Sequence, residues 1–428
     1  MRVGYVVHTY PALSHAFIQR EVLGLRRAGV EVHTLSVHRA GDDHVLSAED
    51  SKEAAGTASI LPVAALHLLS AHLRALRHPV AYARTIVFAV RNAPPGLRPR
   101  VWQIFYFIEG IYVWAWARRH SVDQLHAHLA NVATDDVWLA SVFDRFTARG
   151  PSWRWSFTMH GPTEFFAVER FNLARKVAAA DGVICISDFC RSQLMLLCPS
   201  SDWQKLGVVH CGADLGRYRY RRPPQSEQLR ILCVGRLVAR KGQALLLHAL
   251  SQLSDAGVRA SLTLVGSGPA LKDLQALAGR LGVAGQVRFA GPKGQDELPA
   301  VFSDHDVFCL PSLAEGVPVV LMEAMATGLP VVATAVAGVT ELVTAGTSGL
   351  LVAPGRADAL AEALTRLGQD RDLCVRLSEA GRRAVEAGFD SAECAAELAA
   401  RFSAMQERGP ATGWLSGGPS EESLLHDL

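Results

Sequence analysis

Short apolar runs alternate along the chain with longer stretches in which apolar residues recur at helical spacing. In the first half the strand-like runs are RVGYVV, EVHTLSV, QLHAH, WSFTMH, GVICIS and LGVVH. Helical patterns lie between them, such as FIQREVLGLRRAG, which ends at Gly29, a residue type that favours helix termination. This alternation predicts right-handed crossovers and a parallel α/β sheet.

The same alternation restarts after a polar segment with two prolines, RRPPQSE, at 221–227. Its strand-like runs are RILCVGR, ASLTLVG, QVRFAG, DVFCLP, LPVVAT and GLLVA. We therefore predict an N-terminal Rossmann-like domain at 1–220, a linker at 221–228 and a second Rossmann-like domain at 229–385. A last helix at 386–408 is expected to pack back on the first domain, and the tail at 409–428, rich in Gly, Ser and Pro, is expected to be disordered.

Two doubly wound domains in tandem indicate a function before any motif is considered. Each parallel sheet opens a crevice at the carboxyl ends of its strands. Two such crevices that face each other across a cleft can hold a nucleotide on one side and a second substrate on the other.

The composition of the chain indicates which compartment and which classes of partner to expect. The formal net charge is +2, which gives no global electrostatic case for nucleic acid. The eight cysteines form no CxxC pair, and the N-terminus lacks the layout of a signal peptide, so we expect a cytoplasmic protein with reduced thiols. The most apolar run, VWQIFYFIEGIYVWAWA, carries Glu109 and falls short of the roughly 18–20 residues that span a bilayer, which favours a buried or interfacial helix.

The densest chemical signal is LPSLAEGVPVVLMEAMATGLPVVATAVAGVTELV at 310–343. A strand ends at Pro311, a loop of small residues follows, and a helix is predicted to begin near Val317. Glu315 precedes this helix and Glu323 lies within it, a little over two turns further on, so that both carboxylates can face the same side.

The start of that helix suits a diphosphate. Its unpaired backbone N–H groups and positive dipole end attract an anion, and Gly316 lets the anion approach the backbone closely. A carboxylate does not favour a phosphate neighbour, so Glu315 suits sugar hydroxyls and Glu323 suits a ribose diol.

These residues resemble those of the retaining glycosyltransferases of family four, and in particular the exopolysaccharide and colanic-acid members. The resemblance rests on EGxP, a second glutamate eight residues later, EAMATGLPVVAT, VGRL with VARKG, LVGSGP, TMHG and VVHCGADLGRY, in the family's order across nearly the whole chain. It implies the GT-B fold, anomeric retention by same-face attack, and a nucleotide diphosphate sugar as donor with no metal and no other cofactor. Family frequencies favour UDP over GDP.

The resemblance also implies residue roles. Arg236 and Lys241 would clamp the donor diphosphate, Glu315 would hold the transferred sugar, and His160 would reach that sugar from the other domain. The other donor-binding candidates are Glu323, Gly316, Val317, Pro318, Gly291, Pro292 and Gly266, with Gly291 and Pro292 near the base. Two fixed cations and helix N–H groups would stabilise the charge that builds on the leaving phosphate.

Several of these residues also have ordinary structural interpretations. Gly266 contacts the nucleotide or only permits a tight turn. His126 and His128 share a strand face, with a structural or acceptor-side role favoured over a metal site, because no further ligands are evident. Asp304-His305-Asp306 resembles a metal-binding DxD motif but precedes a buried strand, which favours a turn.

The acceptor side carries less information. The loop TYPALSHAF follows the first strand and resembles a family loop that commonly reads SETF, with His15 and Ala16 in place of Glu and Thr. Ser14, His15 and His128 are acceptor-side candidates.

The segment 61–119 contains eight arginines, one acidic residue and many aromatic residues. It predicts either a face that docks on anionic lipid at the inner plasma membrane or a set of core aromatics with solvated arginines.

Three functions remain in view. The first is transfer of a hexose-type sugar to a glycan or polyprenyl-linked acceptor in surface polysaccharide biosynthesis. The second is transfer to a soluble small molecule, and the third is a non-catalytic sugar-nucleotide-binding protein. The sequence does not identify the sugar, the linkage or the oligomeric state.

Overall fold

Two parallel β-sheets divide the chain into two α/β units. A computed structural model describes residues 1–12, 15–62, 65–147, 153–223 and 227–407. One unit consists of Met1–Val209 with the chain from Ala395 onward, and the other consists of His210–Cys394. The second unit thus begins before the predicted linker, of which residues 224–226 lie outside the described ranges, as does the predicted tail at 409–428.

The first unit is built on a seven-stranded sheet. The strands are β1 (Arg2–Tyr10), β2 (Glu31–Arg39), β3 (Ala58–Leu61), β4 (Gln124–His128), β5 (Arg154–Met159), β6 (Gly182–Cys185) and β7 (Leu206–Val208). Their order is β3-β2-β1-β4-β5-β6-β7, and every neighbouring pair is parallel. The apolar runs predict all of these strands except the short β3.

Nine helices of this unit lie between its strands in the described ranges. They are α1 (Ala16–Arg27), α2 (Ala48–Gly56), α3 (Ala65–Ala75), α4 (Pro79–Arg91), α5 (Leu97–Arg119), α6 (Val132–Thr147), α7 (Val168–Phe171), α8 (Leu173–Ala179) and α9 (Asp188–Met195). The three consecutive helices α3, α4 and α5 all fall between β3 and β4, where a simple crossover needs one.

The second unit contains a six-stranded sheet. Its strands are β8 (Leu229–Val234), β9 (Ala260–Val265), β10 (Val287–Gly291), β11 (Val307–Leu310), β12 (Val331–Thr334) and β13 (Leu350–Val352). The order β10-β9-β8-β11-β12-β13 is parallel throughout, so the carboxyl ends of all six strands meet at one edge. The predicted strands and the doubly wound topology are confirmed.

The helices of the second unit follow its strands in turn. They are α10 (Gln243–Asp255), α11 (Leu271–Arg280), α12 (Leu298–Ser303), α13 (Val319–Thr327), α14 (Val339–Leu342), α15 (Ala357–Gln369) and α16 (Arg371–Gly388). The last helix, α17 (Ser391–Glu407), starts in this unit, and its later residues belong to the first. There Phe402 packs on His126, with ring centroids 5.0 Å apart, and Gln406 donates to the Asp123 carbonyl at 3.0 Å.

Each unit has its own apolar core. In the first, Trp155, Tyr5 and Phe143 are fully buried, and in the second Phe302 and Phe308 are. Burying such a side chain stabilises the fold by about 1.5–3 kcal/mol.

Helix α5 is the predicted buried or interfacial helix. Phe107 and Trp114 are buried, whereas Trp102 and Phe105 near its start are 47% and 52% exposed. No helix among the described residues has the length and apolar character that crossing a membrane requires.

Candidate functional site

The strongest ionic contact at the strand-end edge of the second unit joins two predicted site residues. Lys241 Nζ lies 2.6 Å from Glu315 Oε1, and the side chains are only 14% and 6% exposed. Ser312, which follows β11, donates its hydroxyl to the same carboxylate oxygen at 2.6 Å. Because β8 and β11 are neighbours, residues 74 positions apart in sequence meet at one point.

A close backbone approach holds the Lys241 loop in place. Gly242 has φ +67°, and a Cβ atom there would lie 2.0 Å from the Pro311 carbonyl oxygen. The Leu313 N–H donates to the Arg240 carbonyl at 2.7 Å. Only glycine permits this contact, so the loop after β8 is fixed against the loop after β11.

Helix α13 begins directly beyond Glu315. Its first residue is Val319, and Pro318 precedes it in an extended conformation, so the helix starts two residues later than the pattern predicts. Proline at this position stops the helix from extending backwards, because its neighbour disfavours helical dihedrals. Val317 is 5% exposed, which makes its side chain a core contact, and only its backbone remains for a ligand.

Glu323 lies on α13 and is 2% exposed. The helix ends at Gly328, which has φ +93°. This burial excludes a solvated surface carboxylate at this position.

Arg236 differs from Lys241 in its surroundings. It lies two residues beyond the end of β8, and its side chain is exposed. Its carbonyl accepts from Gln243 Nε2 at 2.9 Å, which fixes the backbone at this point. The structure thus brings Lys241 and Glu315 together and places Arg236 on the same strand-end edge.

Two of the predicted glycines, Gly266 and Gly291, lie at the ends of β9 and β10. Gly266 has φ +137°, its N–H donates to the Gly291 carbonyl at 2.8 Å, and a Cβ there would lie 2.1 Å from the Gly235 carbonyl oxygen. This close approach requires glycine whether or not a nucleotide binds. Gly291 ends β10 with φ +70°, and Pro292 after it is exposed.

The Asp304-His305-Asp306 segment has a structural role. Asp306 accepts from Arg230 at 2.8 Å and 3.1 Å through the guanidinium and at 2.8 Å through the backbone N–H. This pairing joins the starts of β8 and β11, at the edge opposite the strand ends. The turn interpretation is therefore confirmed.

In the first unit, His160 belongs to a buried chain of hydrogen bonds. It follows β5, and its Nε2 lies 2.9 Å from Nδ1 of His128, the last residue of β4. His128 Nε2 lies 3.0 Å from Glu21 Oε1 on α1, and Tyr5 donates its hydroxyl to that same oxygen at 2.5 Å. Three strands and one helix thus supply one continuous chain.

The hydrogen-bond chain restricts the tautomers of a neutral pair of histidines. A neutral His128 that donates to Glu21 through Nε2 accepts through Nδ1 from His160 Nε2. Burial, followed by the neighbouring histidines His128 and His15, holds the pKa of His160 well below its usual range, so this histidine is neutral at physiological pH.

The ligand atoms of Glu21, His126 and His128 lie within 4.8 Å of one another, the spacing of a metal site. Both ring nitrogens of His126 already have partners, Ser156 Oγ at 2.8 Å and Thr158 Oγ1 at 2.9 Å. A metal would have to break one of these contacts and the bond from Tyr5. The group fits a hydrogen-bonded network better than a metal.

The structure describes two of the three acceptor-side candidates, His15 and His128. Ser14 lies outside the described residues. His15 precedes α1 and packs edge-on against Phe17 at 5.8 Å, and Phe17 in turn contacts the His160 ring at 4.6 Å between centroids. His15 is therefore joined to His160 through one aromatic ring.

Sequence reasoning missed Glu21, Tyr5 and Ser312. Glu21 is one charge among several on an amphipathic helix, and Tyr5 lies inside an apolar run, so no pattern distinguishes them. Ser312 directly follows a strand end within the predicted motif, and this position is the signal that could have identified it.

Comparison with known proteins identifies a family that part of the chain matches. The sequence profile of the family described as glycosyl transferases group 1 matches residues 217–384. WcaL of Escherichia coli K12, named as a colanic acid biosynthesis glycosyltransferase, is 35% identical over 235 residues, which cover 53% of this chain and 57% of WcaL. A GDP-mannose-dependent alpha-(1-6)-phosphatidylinositol monomannoside mannosyltransferase of Mycobacterium tuberculosis is 39% identical over 249 residues, 54% of this chain and 64% of that one. The chain thus matches somewhat over half the length of these relatives.

Solved structures extend the likeness to nearly the whole chain. Sucrose-phosphate synthase from Thermosynechococcus elongatus has a TM-score of 0.69 at 19% identity and covers 95% of this chain and 99% of its own. Anabaena HepE in complex with UDP and glucose also has a TM-score of 0.69, at 18% identity, covering 94% and 100%. Residues 217–384 therefore match the group 1 glycosyl transferases, and the chain has the GT-B fold of two parallel α/β sheets with flanking helices.

Proposed function

We propose that this protein is a retaining glycosyltransferase that moves a hexose-type sugar from a nucleotide diphosphate sugar to a glycan or polyprenyl-linked acceptor in surface polysaccharide biosynthesis. It would act in the cytoplasm, at the inner face of the plasma membrane, with a UDP-sugar as donor and without a metal. This proposal rests on the contact between Lys241 and Glu315, the second of which lies four residues before the start of α13.

That contact gives a site with both charges that glycosyl transfer needs. Lys241 supplies a fixed cation, and the start of α13 supplies backbone N–H groups with the positive end of a helix dipole. When a donor binds, Lys241 can turn to the diphosphate and Glu315 can accept from sugar hydroxyls, so the two charges that neutralise each other become ligand contacts.

The chemistry follows from where charge develops. The bond between the anomeric carbon and the phosphate oxygen breaks while the acceptor hydroxyl oxygen bonds to that carbon, and the hydroxyl proton passes to the leaving nucleoside diphosphate. On the way the sugar becomes cation-like, and negative charge builds on the leaving diphosphate. Lys241, Arg236 and the helix N–H groups would stabilise that charge, each donor by about 2.7–4 kcal/mol. Such a set can replace the divalent ion that other transferases use.

Neutral His160 suits the sugar side. A neutral imidazole donates or accepts a hydrogen bond without repelling a cation-like sugar. Retention with same-face attack is proposed on the family resemblance.

The identity of the base is tested by a thermal-shift panel of UDP-, GDP- and ADP-sugars. Among the proteins compared above, HepE was solved with UDP, whereas the mycobacterial relative is named for GDP-mannose. A ligand at 100 times its dissociation constant stabilises the folded state by about 2.7 kcal/mol. We expect the largest shift with a UDP-sugar, and a shift with GDP-sugars alone would contradict that choice.

Catalysis is tested by donor consumption in the presence of EDTA with Glu315→Gln. The matched control is Glu297→Gln, which removes an exposed carboxylate that also lies 2.6 Å from a lysine, Lys293. We expect EDTA to have no effect, the control to stay active and Glu315→Gln to lose activity. Donor binding without consumption in the unaltered protein would favour a non-catalytic sugar-nucleotide-binding protein, and transfer to small glycosides but not to polyprenyl-linked acceptors would favour a soluble acceptor.

A further inference from the structure

The first unit exposes an unusual concentration of large apolar side chains. Of the nineteen large hydrophobic residues that are exposed in the described parts of the chain, eleven lie within 66–105. They belong to α3, α4, α5 and the turns between them. We call the exposed apolar and arginine side chains of residues 66–105 the α3–α5 face.

Helical spacing shows that these side chains share the outer side of their helices. On α3, Leu66, Leu69 and Leu73 are 79%, 55% and 57% exposed, whereas Ala71 and Ala75 are buried. The leucines recur at intervals of three and four, the spacing of one helix face. Outer positions of a helix in a soluble domain are normally polar, so an apolar outer face indicates a binding surface.

Helices α4 and α5 continue the pattern. Val80 is 70% exposed on α4, and Leu97 is 78% exposed at the start of α5. Trp102 and Phe105 are about half exposed on the next turns of α5, whereas Phe107 is 2% exposed. The aromatic residues of this segment therefore divide between the core and the α3–α5 face.

The charge on this face has one sign. Residues 66–105 contain six arginines and no acidic residue. All six are exposed, and none of them is in an ion pair with another described residue. Among these arginines, only Arg84 stacks on an aromatic ring of the described residues, with its guanidinium carbon 4.4 Å from the Phe146 ring centroid. The arginines are Arg74, Arg77, Arg84, Arg91, Arg98 and Arg100.

We propose that the α3–α5 face docks on an anionic lipid bilayer. The leucine, valine, tryptophan and phenylalanine side chains would enter the boundary between headgroups and acyl chains, and the arginines would bind lipid phosphates. A second copy of the chain fits poorly, because it would bring two sets of six unpaired arginines together. Nucleic acid would use the arginines and leave the leucines in water.

The biological purpose of this docking rests on the proposed function, because docking would bring the enzyme to the membrane surface where a polyprenyl-linked acceptor lies. The surface itself is argued from exposure and charge alone. A test that needs no donor therefore separates the two proposals.

The test is flotation of the full chain with vesicles of phosphatidylcholine alone and of phosphatidylcholine with an equal amount of phosphatidylglycerol. We expect recovery with the anionic vesicles and little with the neutral ones. The triple variant R74Q/R77Q/R91Q should bind the anionic vesicles roughly 100-fold more weakly, since each arginine contributes about fivefold. Its control, R259Q/R376Q/R383Q, removes three exposed arginines of the second unit and should bind normally.

A second variant tests the apolar part. L69Q/L73Q/F105Q keeps every charge and should weaken vesicle binding by roughly tenfold or more, because less apolar area enters the bilayer. The control L196Q changes an exposed leucine outside the face, 73% exposed, and should have no effect. Circular dichroism and the nucleotide-sugar thermal shift should match the unaltered protein in all four variants.

Three results would overturn the proposal. The first is equal recovery with neutral and anionic vesicles, and the second is equal weakening by the variants and their controls. The third is an oligomer in light scattering that both face variants dissociate, with no vesicle binding, which would make the face a contact between copies. A normal thermal shift alongside any of these results would leave the proposed transferase function intact.

Discussion

The contact between Lys241 and Glu315 should stabilise the fold of the second unit as well as bind the donor, and these two roles can be separated. After Lys241→Met, the buried Glu315 carboxylate keeps only the hydrogen bond from the Ser312 hydroxyl among the described residues. Removing one partner of a fully buried ion pair costs about 3–5 kcal/mol. Because the Lys241 side chain is 14% exposed, we expect a smaller loss of about 2–3 kcal/mol in the free energy of unfolding.

Glu315→Gln should cost less, because its amide oxygen still accepts from both Ser312 and Lys241. Added to Lys241→Met, however, it should restore stability, since no unpaired charge remains buried. We expect the double variant to lie within about 1 kcal/mol of the unaltered protein. For a domain of 150–250 residues, each kcal/mol shifts the melting temperature by roughly 2–4 °C, so Lys241→Met should lower the ligand-free transition of the second unit by about 4–12 °C.

Activity should behave differently from stability. Lys241→Met should lower the turnover number by roughly 10²- to 10³-fold, the cost of losing one preorganised donor to a developing anion, and the stabilised double variant should regain none of it. Calorimetry gives the first quantity and donor-consumption kinetics the second. The exposed pair of Lys293 and Glu297, altered in the same way, should change neither. If Glu315→Gln added its own loss to that of Lys241→Met, or if Lys241→Met kept full turnover, the reasoning would be wrong.

Three further predictions concern the first unit and the strand-end glycines. Glu21→Ala should lower the free energy of unfolding by about 1–3 kcal/mol in urea titrations, because it removes a buried hydrogen-bond partner of the histidine chain; an unchanged midpoint would contradict this. Burial lowers the pKa of His126 and His160 below the unfolded value near 6.5. The contribution of these neutral histidines to the free energy of unfolding is therefore complete above that pH and is lost as pH falls, by up to about 1.4 kcal/mol per pH unit for each. His126→Gln should accordingly flatten the acid side of a plot of stability against pH. Gly266→Ala should prevent folding of the second unit or cost more than ~3 kcal/mol, whereas Gly257→Ala, where a Cβ meets open space, should cost about 1 kcal/mol by the same melting assay.

Local sequence determines most of the fold. Strands such as β6 and β11 are short apolar runs, and stretches with helical periodicity separate the strands. A parallel arrangement therefore follows from elementary geometry. The strand β3 escaped this reasoning because four residues between a helix and a loop make too short a pattern. Family resemblance then indicated Lys241, Glu315 and His160 as candidate site residues, because their motifs are contiguous in sequence.

Only tertiary structure decided which of these residues meet. Lys241 and Glu315 touch because β8 and β11 are neighbours in the sheet, and strand order is a long-range property that no local window contains. Glu21 joins His128 for the same reason, since a charge on α1 has no sequence signal of the strand end it faces. In α5, apolar residues occur on every side, so periodicity could not tell the buried Phe107 from the exposed Phe105. The sequence by itself thus set the elements and their chemistry, whereas packing between distant segments selected the contacts and decided which apolar residues remained exposed to solvent.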